Sequence, residues 1–97
     1  MAHKIVWSPR AVSNLEEICN YIEKDSEYYA RLFAKRVISV IENIPAFPAS
    51  GRIVPEYENK KLREKFYQNY RIVYRIKKDA IEIVAICHGA MMLKNVL

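Results

Sequence analysis

Residues 62–88 read LREKFYQNYRIVYRIKKDAIEIVAICH and predict three consecutive antiparallel strands. The middle of this stretch alternates between two rows of side chains, as in a β-strand, whose successive side chains point to opposite faces. One row is Tyr70, Ile72, Tyr74 and Ile76, and the other is Arg71, Val73, Arg75 and Lys77. We expect the first row to face a core and the second, basic row to face outward.

Two polar breaks divide the stretch into strands. Gln68 and Asn69 predict a tight turn before the middle strand, and residues 77–79 predict a second break before the apolar run at 81–87. The register between the strands then decides which side chains share a face. One register brings four cations and a histidine to one surface, namely Arg63, Lys65, Arg71, Arg75 and His88.

A first helix is predicted to begin after Ser8. The Ser8 hydroxyl suits the N-cap because it can accept a hydrogen bond from a free backbone N–H, and Pro9 suits the first helical position. Apolar side chains follow at helical spacing, namely Val12, Leu15, Ile18, Cys19 and Ile22. We expect this stripe to pack on the sheet and the helix to end near Lys24 and Asp25.

A second helix follows almost at once. Asp25 or Ser26 can cap it, and Pro45 ends it because proline disfavours a helical residue before it. Its apolar stripe is Ala30, Phe33, Ala34, Val37, Ile38, Ile41 and Ile44. The connection is so short that the two helices are predicted to form an antiparallel hairpin. In the irregular segment that follows, Phe47 is expected to fill the edge of the core.

These elements predict one α+β domain over residues 1–97. A short strand at residues 4–7 precedes the helices, which gives the order β-α-α-β-β-β, and residues 52–57 are expected to include a brief extended piece. The helical hairpin is predicted to cover one face of the antiparallel sheet, because both apolar stripes then share one core.

The composition indicates a globular cytosolic protein. Of the 97 residues, 52% are hydrophobic, which is too many for a disordered chain, and no apolar run approaches the roughly 20 residues that cross a bilayer. No signal peptide is visible, and the two cysteines are interpreted as reduced core residues. The net charge of +5 favours an acidic protein or a nucleic acid as partner. We expect no metal and no cofactor, because His3 and His88 lie far apart.

Short motifs occur in a fixed order over nearly the whole chain. They are WSPRA at 7–11, PASGR at 48–52, VPE at 54–56, LRE at 62–64, YRIVYR at 70–75 and ICHGA at 86–90. In this order the chain resembles the RelE/ParE superfamily, the toxins of bacterial type II toxin–antitoxin systems. The resemblance implies a cognate antitoxin that wraps and neutralises the toxin. It also implies one of two targets: RelE-like members cut mRNA in the ribosomal A site without a metal, whereas ParE-like members inhibit DNA gyrase.

The residues allow a nuclease site as a hypothesis. Cleavage of RNA without a metal needs a base, an acid and cations that stabilise the charged phosphorane. The catalytic candidates are Arg63, Arg71, Arg75 and His88, with Tyr67, Tyr70 or Glu64 completing the set. The residues expected to bind the target are Lys61, Arg63, Lys65, Arg71 and Arg75. In the simpler alternative, the arginines form a solvated row with surface ion pairs worth about 0–1 kcal/mol each.

Met91 bears on the choice between the two targets. Many RelE-like toxins carry an arginine soon after the histidine, in a His-Gly-x-Arg arrangement, where this chain has Met91. Methionine neither binds phosphate nor moves protons, and the long helical hairpin also resembles ParE-like members. We therefore favour a ParE-like inhibitor of DNA gyrase. The alternatives are an enzyme, namely a RelE-like ribosome-dependent mRNA endonuclease, and a degenerate toxin that only binds its antitoxin.

The antitoxin contact is also implied by the resemblance. Antitoxin tails are commonly acidic, amphipathic and disordered until bound, so apolar anchors beside a basic surface would hold them. The candidate anchors are Leu32 and Val40 on the second helix, Val73 and Ile86 in the sheet, and the terminal Met91, Met92, Leu93 and Val96. The terminal residues have the alternative of packing on the sheet.

Overall fold

The structure is a computed structural model that describes residues 3–91 and 93. The strands in this part of the chain are β1 (Lys4–Trp7), β2 (Arg52–Ile53), β3 (Leu62–Tyr67), β4 (Tyr70–Ile76) and β5 (Ala80–His88). The α-helices are α1 (Pro9–Glu23) and α2 (Glu27–Glu42), and two single-turn 3-10 helices, Ile44–Ala46 and Pro48–Ser50, follow α2. None of the helices within these residues combines the length and the apolar character that crossing a membrane requires.

The strands form one mixed sheet in the order β1-β5-β4-β3-β2. β1 runs parallel to β5, and every other pair is antiparallel, which confirms the predicted meander of β3, β4 and β5. The first predicted turn is also confirmed, with Gln68 at a φ of 53°. A shift in register between Val73 and Tyr74 makes Val84 the extra residue of β5, so the alternation of side chains is not continuous along the pair.

The two helices cover one face of the sheet, which confirms the predicted α+β architecture. Their N-caps are Ser8, whose hydroxyl accepts from the Ala11 N–H at 3.0 Å, and Ser26, which accepts from the Tyr29 N–H at 3.2 Å. Buried side chains of the helices meet buried side chains of the sheet in a single core, whose members include Phe33, Val37, Ile41, Ile72, Tyr74, Ile83 and Ile86. We call this side of the sheet the helix face.

Three apolar side chains predicted to be buried are exposed. Val12 is 42% exposed and Ile38 is 39% exposed, and neither belongs to the core between the helices and the sheet. Phe47, predicted to fill the core edge, is 73% exposed. The backbone turns at Ile44–Ala46 bring Ile44 into the core instead, and this residue is fully buried.

A second, smaller core covers the opposite side of the sheet, which we call the far face. Its buried members are Val54, Leu62, Val73, Ala85, Cys87 and Leu93. The central strands are therefore buried on both sides, although antiparallel sheets often leave one side in water. The expectation that the row of Arg71 and Val73 faces outward is wrong for both residues, which are 4% and 0% exposed.

Gly51 allows the segment before β2 to approach the sheet closely. The Tyr74 hydroxyl donates to the Pro48 carbonyl at 2.6 Å and accepts from the Gly51 N–H at 3.0 Å. Burial raises the pKa of the Tyr74 hydroxyl, so it stays protonated and remains a donor. A Cβ on Gly51 would lie 2.5 Å from the Tyr74 hydroxyl oxygen and 2.7 Å from the Glu64 carbonyl oxygen.

We expect Gly51→Ala to lower the free energy of unfolding by about 1–3 kcal/mol, because backbone or the anchored tyrosine must move to admit the methyl group. Urea denaturation followed by circular dichroism measures this change. Gly89→Ala is the matched comparison, since the nearest atom to its added Cβ is 3.1 Å away and the expected loss is smaller. Equal losses in the two variants would contradict the steric explanation.

Candidate functional site

A buried ion network occupies the far face. The Arg71 Nη1 and Nη2 atoms each lie 2.8 Å from a carboxylate oxygen of Glu56, and Arg71 Nε lies 2.5 Å from Glu64 Oε1. The side chains of Arg71, Glu56 and Glu64 are 5%, 11% and 0% exposed. The pairing with Glu56 is bidentate, which is the strongest arrangement of an arginine with a carboxylate.

Arg52 completes the network on its solvent side. Its Nε lies 2.5 Å from Glu64 Oε2, so both oxygens of the buried Glu64 carboxylate accept from an arginine. The Arg52 side chain is 57% exposed, and its guanidinium lies over the Phe66 ring at 5.0 Å from the ring centroid. Two arginines and two glutamates balance, so the network adds no net charge to the far face.

The network also fixes the backbone at Met91 and Leu93. Arg71 Nη1 donates to the Met91 carbonyl at 3.2 Å, and the Leu93 N–H donates to Glu56 Oε2 at 3.1 Å. Leu93 is fully buried in the far-face core. The same two charged side chains that neutralise each other therefore hold the backbone that covers this core.

These contacts shift the titration of both charged groups. The hydrogen bonds from Arg71 lower the pKa of Glu56 to about 2, against the opposing effect of burial. The hydrogen bonds to Glu56 and Glu64 raise the pKa of Arg71 above its usual range. Arg71 is thus a permanent cation whose charge is neutralised inside the protein by Glu56 and Glu64. Its predicted roles in catalysis and target binding require an open guanidinium, which this geometry does not provide.

The other two candidate arginines are engaged as well. Arg63 donates through Nη1 to the carbonyls of Ala49 and Gly51, at 3.1 and 2.9 Å, and through Nε to the Lys60 carbonyl at 2.9 Å. It therefore ties the segment before β2 to the start of β3. Arg75 Nε lies 3.6 Å from Glu82 on β5 and its side chain is 40% exposed.

Lys61 and Lys65, the remaining predicted target contacts, keep more surface. Lys61 is exposed before β3, and Lys65 in β3 is half-buried. Lys61, Arg63 and Lys65 all belong to one edge of the sheet, the edge formed by β3 and β2. Their function as target contacts stays a prediction.

The strand register separates the predicted basic cluster. Arg63 lies opposite Tyr74 and Lys65 opposite Ile72, so both belong to the helix face. Arg71 lies opposite Cys87 and Arg75 opposite Glu82, which places both on the far face. The expectation that all of these cations share one surface with His88 is wrong, because directly paired residues of neighbouring strands project to the same side.

His88 stands at the end of β5, where it is exposed, and its role in catalysis stays a prediction. Its ring lies edge-on to Tyr70 at 5.8 Å between centroids, and its Nδ1 accepts from the Ala90 N–H at 3.2 Å. A cavity of about 370 Å³ adjoins His88. Among the described residues that line this cavity, Arg52 is the only one with a positively charged side chain at all pH values near neutrality. Phe66, Arg52 and Glu56 were not singled out from the sequence as site residues.

The predicted antitoxin anchors divide by burial. Val73, Ile86 and Leu93 are 0%, 1% and 0% exposed, so the structure buries all three, and Leu93 takes its alternative of core packing. An antitoxin contact by Val73 or Ile86 stays a prediction. Leu32 and Val40 on α2 are half-buried and keep some surface, and Met91 is 47% exposed. Met92 and Val96 lie outside the described residues.

Residues 3–91 and 93 contain no cluster of side chains that could bind a metal ion. In this part of the chain, no three His, Cys, Asp or Glu side chains gather closely enough to hold an ion. Both cysteines are free thiols, and burial raises the pKa of each, which disfavours the nucleophilic thiolate.

Comparisons with known proteins agree over nearly the whole chain. A sequence profile for the family described as "ParE toxin of type II toxin-antitoxin system, parDE" matches residues 5–93. The putative toxin Y4kP of Sinorhizobium fredii (strain NBRC 101917 / NGR234) is 34% identical over 96 residues, which cover 97% of this chain and 96% of that relative.

A solved structure agrees in fold. It is described as "Chromosomal ParDE TA system from P. aeruginosa" and superposes with a TM-score of 0.74 over 90% of this chain and 96% of the matched chain. The sequence identity in this pair is 17%, so the likeness concerns the architecture of helices and sheet.

Proposed function

The chain belongs to the ParE toxin family of type II toxin–antitoxin systems, and from this membership we propose that it arrests bacterial growth by inhibiting DNA gyrase. The toxin acts in the cytoplasm until a cognate antitoxin of the ParD type binds it. ParE-like members of the superfamily inhibit gyrase by binding to it. The proposed function therefore requires a surface that binds gyrase and does not require a catalytic centre.

The engagement of the arginines is the observation that favours gyrase inhibition over RNA cleavage. A metal-free nuclease needs cations that are free to contact a phosphorane. Arg71 is buried against two carboxylates, and the Arg63 guanidinium is bound to three backbone carbonyls. Neither cation can turn to a phosphate without breaking contacts that hold the fold.

Three of the predicted antitoxin contacts keep exposed surface, namely Leu32 and Val40, which are half-buried, and Met91, which is 47% exposed. Val40 lies on α2, and Met91 borders a cavity of about 240 Å³ between α1 and the end of β5. The net charge of +5 would speed the approach of an acidic antitoxin segment.

The proposed function is tested with purified gyrase and relaxed plasmid. We expect the toxin to reduce ATP-dependent supercoiling in proportion to its concentration and the cognate antitoxin, added first, to restore it. A type I topoisomerase relaxing the same plasmid is the control and should be unaffected. Full supercoiling at toxin concentrations that arrest growth would overturn the gyrase assignment.

Met91→Arg tests the nuclease alternative directly. The substitution restores the His-Gly-x-Arg arrangement, yet we expect no ribosome-dependent mRNA cleavage, because Arg71 and Arg63 stay bound within the fold. Primer extension on translated mRNA in a reconstituted translation system measures the cuts, with a RelE-type toxin as the positive control. New cuts at the ribosomal A site in this variant would revive the nuclease assignment.

A further inference from the structure

Three tyrosines lie at the end of the helical hairpin where α1 leads into α2. Tyr21, Tyr28 and Tyr29 are 68%, 63% and 62% exposed, and no function described above uses them. We call these residues the aromatic tip. Tyrosine is enriched in the centres of protein interfaces because it offers a large apolar face together with a hydroxyl group. Large aromatic side chains exposed to this degree are therefore candidates for contact with a partner.

The aromatic tip is held in a defined shape. The helices are joined by residues 24–26 alone, and Ser26 caps α2 through the Tyr29 N–H at 3.2 Å. The Tyr28 and Tyr29 rings meet edge to face, with 5.2 Å between their centroids. A surface that is ordered before it binds loses little conformational entropy on binding, which favours affinity.

A cavity beside the tip provides a place for a partner's side chain. It has a volume of about 270 Å³ and lies between the hairpin and the turn that joins β3 to β4. Its lining is mainly apolar or aromatic and includes Ile22, Tyr29, Leu32, Phe33 and Tyr67. Pockets of this kind, next to exposed aromatic residues, are where interfaces concentrate their binding energy.

The charges around the tip indicate which partner fits. Glu23, Asp25 and Glu27 are exposed there beside two cations, Lys24 and Arg31, in a chain whose net charge is +5. A polyanion such as DNA is therefore attracted to other parts of the surface and not to this end of the hairpin. The tip suits a folded protein surface that is apolar at its centre and neutral or basic around it.

We propose that the aromatic tip is the surface by which the toxin docks on its protein target. This proposal rests on the proposed function and names its contact: the tip packs against a neutral or basic protein face of gyrase, and a side chain of gyrase enters the adjoining cavity. The antitoxin is held mainly by other parts of the domain, including Val40 and Met91. The predicted antitoxin anchor Leu32 is assigned to the cavity beside the tip instead.

The test compares the double variant Tyr28→Ser/Tyr29→Ser with Phe47→Ser. Phe47 is a matched control because it is 73% exposed and follows the opposite end of α2. We expect the double variant to need at least roughly tenfold more protein to inhibit gyrase supercoiling, as befits the loss of two central interface residues. Phe47→Ser should inhibit as the unsubstituted toxin does. Antitoxin affinity and the thermal midpoint, measured on the same preparations, should change little in either variant.

Each outcome decides the proposal. Unchanged inhibition by the double variant would overturn it, and so would an equal loss of antitoxin affinity, which would make the tip an antitoxin contact. If the unsubstituted toxin fails to inhibit gyrase, the proposed function fails, and growth arrest in cells then tests the tip without reference to a particular target. Arrest by Phe47→Ser but not by the double variant would still support docking through the tip, whereas arrest by both would refute it.

Discussion

Replacing Arg71 with methionine is expected to lower the free energy of unfolding by about 3–5 kcal/mol, because it leaves the buried Glu56 carboxylate without its arginine and the buried Glu64 carboxylate with Arg52 alone. Glu56 and Glu64 have side chains that are 11% and 0% exposed, and each accepts from Arg71. Methionine keeps the aliphatic part of the side chain, but it is shorter than arginine and supplies no donor. The variant also loses the hydrogen bond to the Met91 carbonyl, which helps to hold the backbone at Met91 over the far-face core.

Arg75→Met is the matched control for this measurement. Arg75 lies four residues further along the same strand, on the same face, but its contact with Glu82 is 3.6 Å long and its side chain is 40% exposed. An exposed pair of this kind contributes about 0–1 kcal/mol. Urea denaturation of the two variants at neutral pH gives the comparison. Similar losses in both would show that burial of the network does not set its energetic importance.

The size of the Arg71 effect changes how toxicity data should be interpreted. Small domains are stable by only about 5–15 kcal/mol, so the expected loss removes a large part of the total. A toxin with Arg71 replaced would then fail to arrest growth because it fails to fold. Loss of toxicity in such a variant reports on stability, and only variants of exposed residues, such as Tyr28 and Tyr29, report on contact with the target.

Local sequence signals were sufficient for the elements of the fold. The N-caps at Ser8 and Ser26, the breaks at Gln68 and at residues 77–79, and the alternation in β4 all depend on neighbours a few residues apart. The hairpin of α1 and α2 on one face follows from the apolar stripes and the short connection. The motifs spread along the chain then identified the superfamily, which the comparisons confirm.

The far face could not be derived in the same way, because its contacts join distant parts of the chain. Glu56 meets Arg71 across 15 residues of sequence, and the Leu93 N–H reaches Glu56 across 37. No spacing rule couples a carboxylate in a loop to an arginine in a strand. One signal was present: Val73 stands in the basic row of β4, and Ala85 and Cys87 are apolar on the paired strand. Apolar residues in both rows indicate a strand that is buried on both faces.

The aromatic tip was open to prediction by the opposite argument. Tyr21 and Tyr28 fall outside the apolar stripes of α1 and α2, at positions where a helix on a protein surface normally carries polar side chains. A large aromatic residue at such a position is not explained by the core. The stripes themselves were taken too wide, since they included Val12 and Ile38, which the structure leaves exposed.

Glu56→Gln is expected to remove a pH-dependent part of the stability worth about 2–3 kcal/mol. The pKa of Glu56 falls from 4.5 to about 2 in the folded chain, chiefly because Arg71 donates to the charged carboxylate. The contribution of a group whose folded pKa is lowered is fully present above its unfolded pKa, near 4.5, and is lost as the pH falls through about 2. The difference in stability between the unsubstituted chain and the variant should therefore be constant near neutral pH and shrink over that acidic window.

Urea denaturation at a series of pH values from neutral down to about 2 measures this difference. Glu58→Gln is the control, because Glu58 is a neighbouring glutamate that is exposed, and its stability curve should run parallel to that of the unsubstituted chain. If the difference in unfolding free energy between Glu56→Gln and the unsubstituted chain persists unchanged at the lowest pH, the glutamine side chain destabilises the fold for steric reasons and not through the lost charge. A difference that disappears would establish that ionised Glu56, through Arg71 and the Leu93 N–H, secures the far-face core, because protonation then reproduces the substitution.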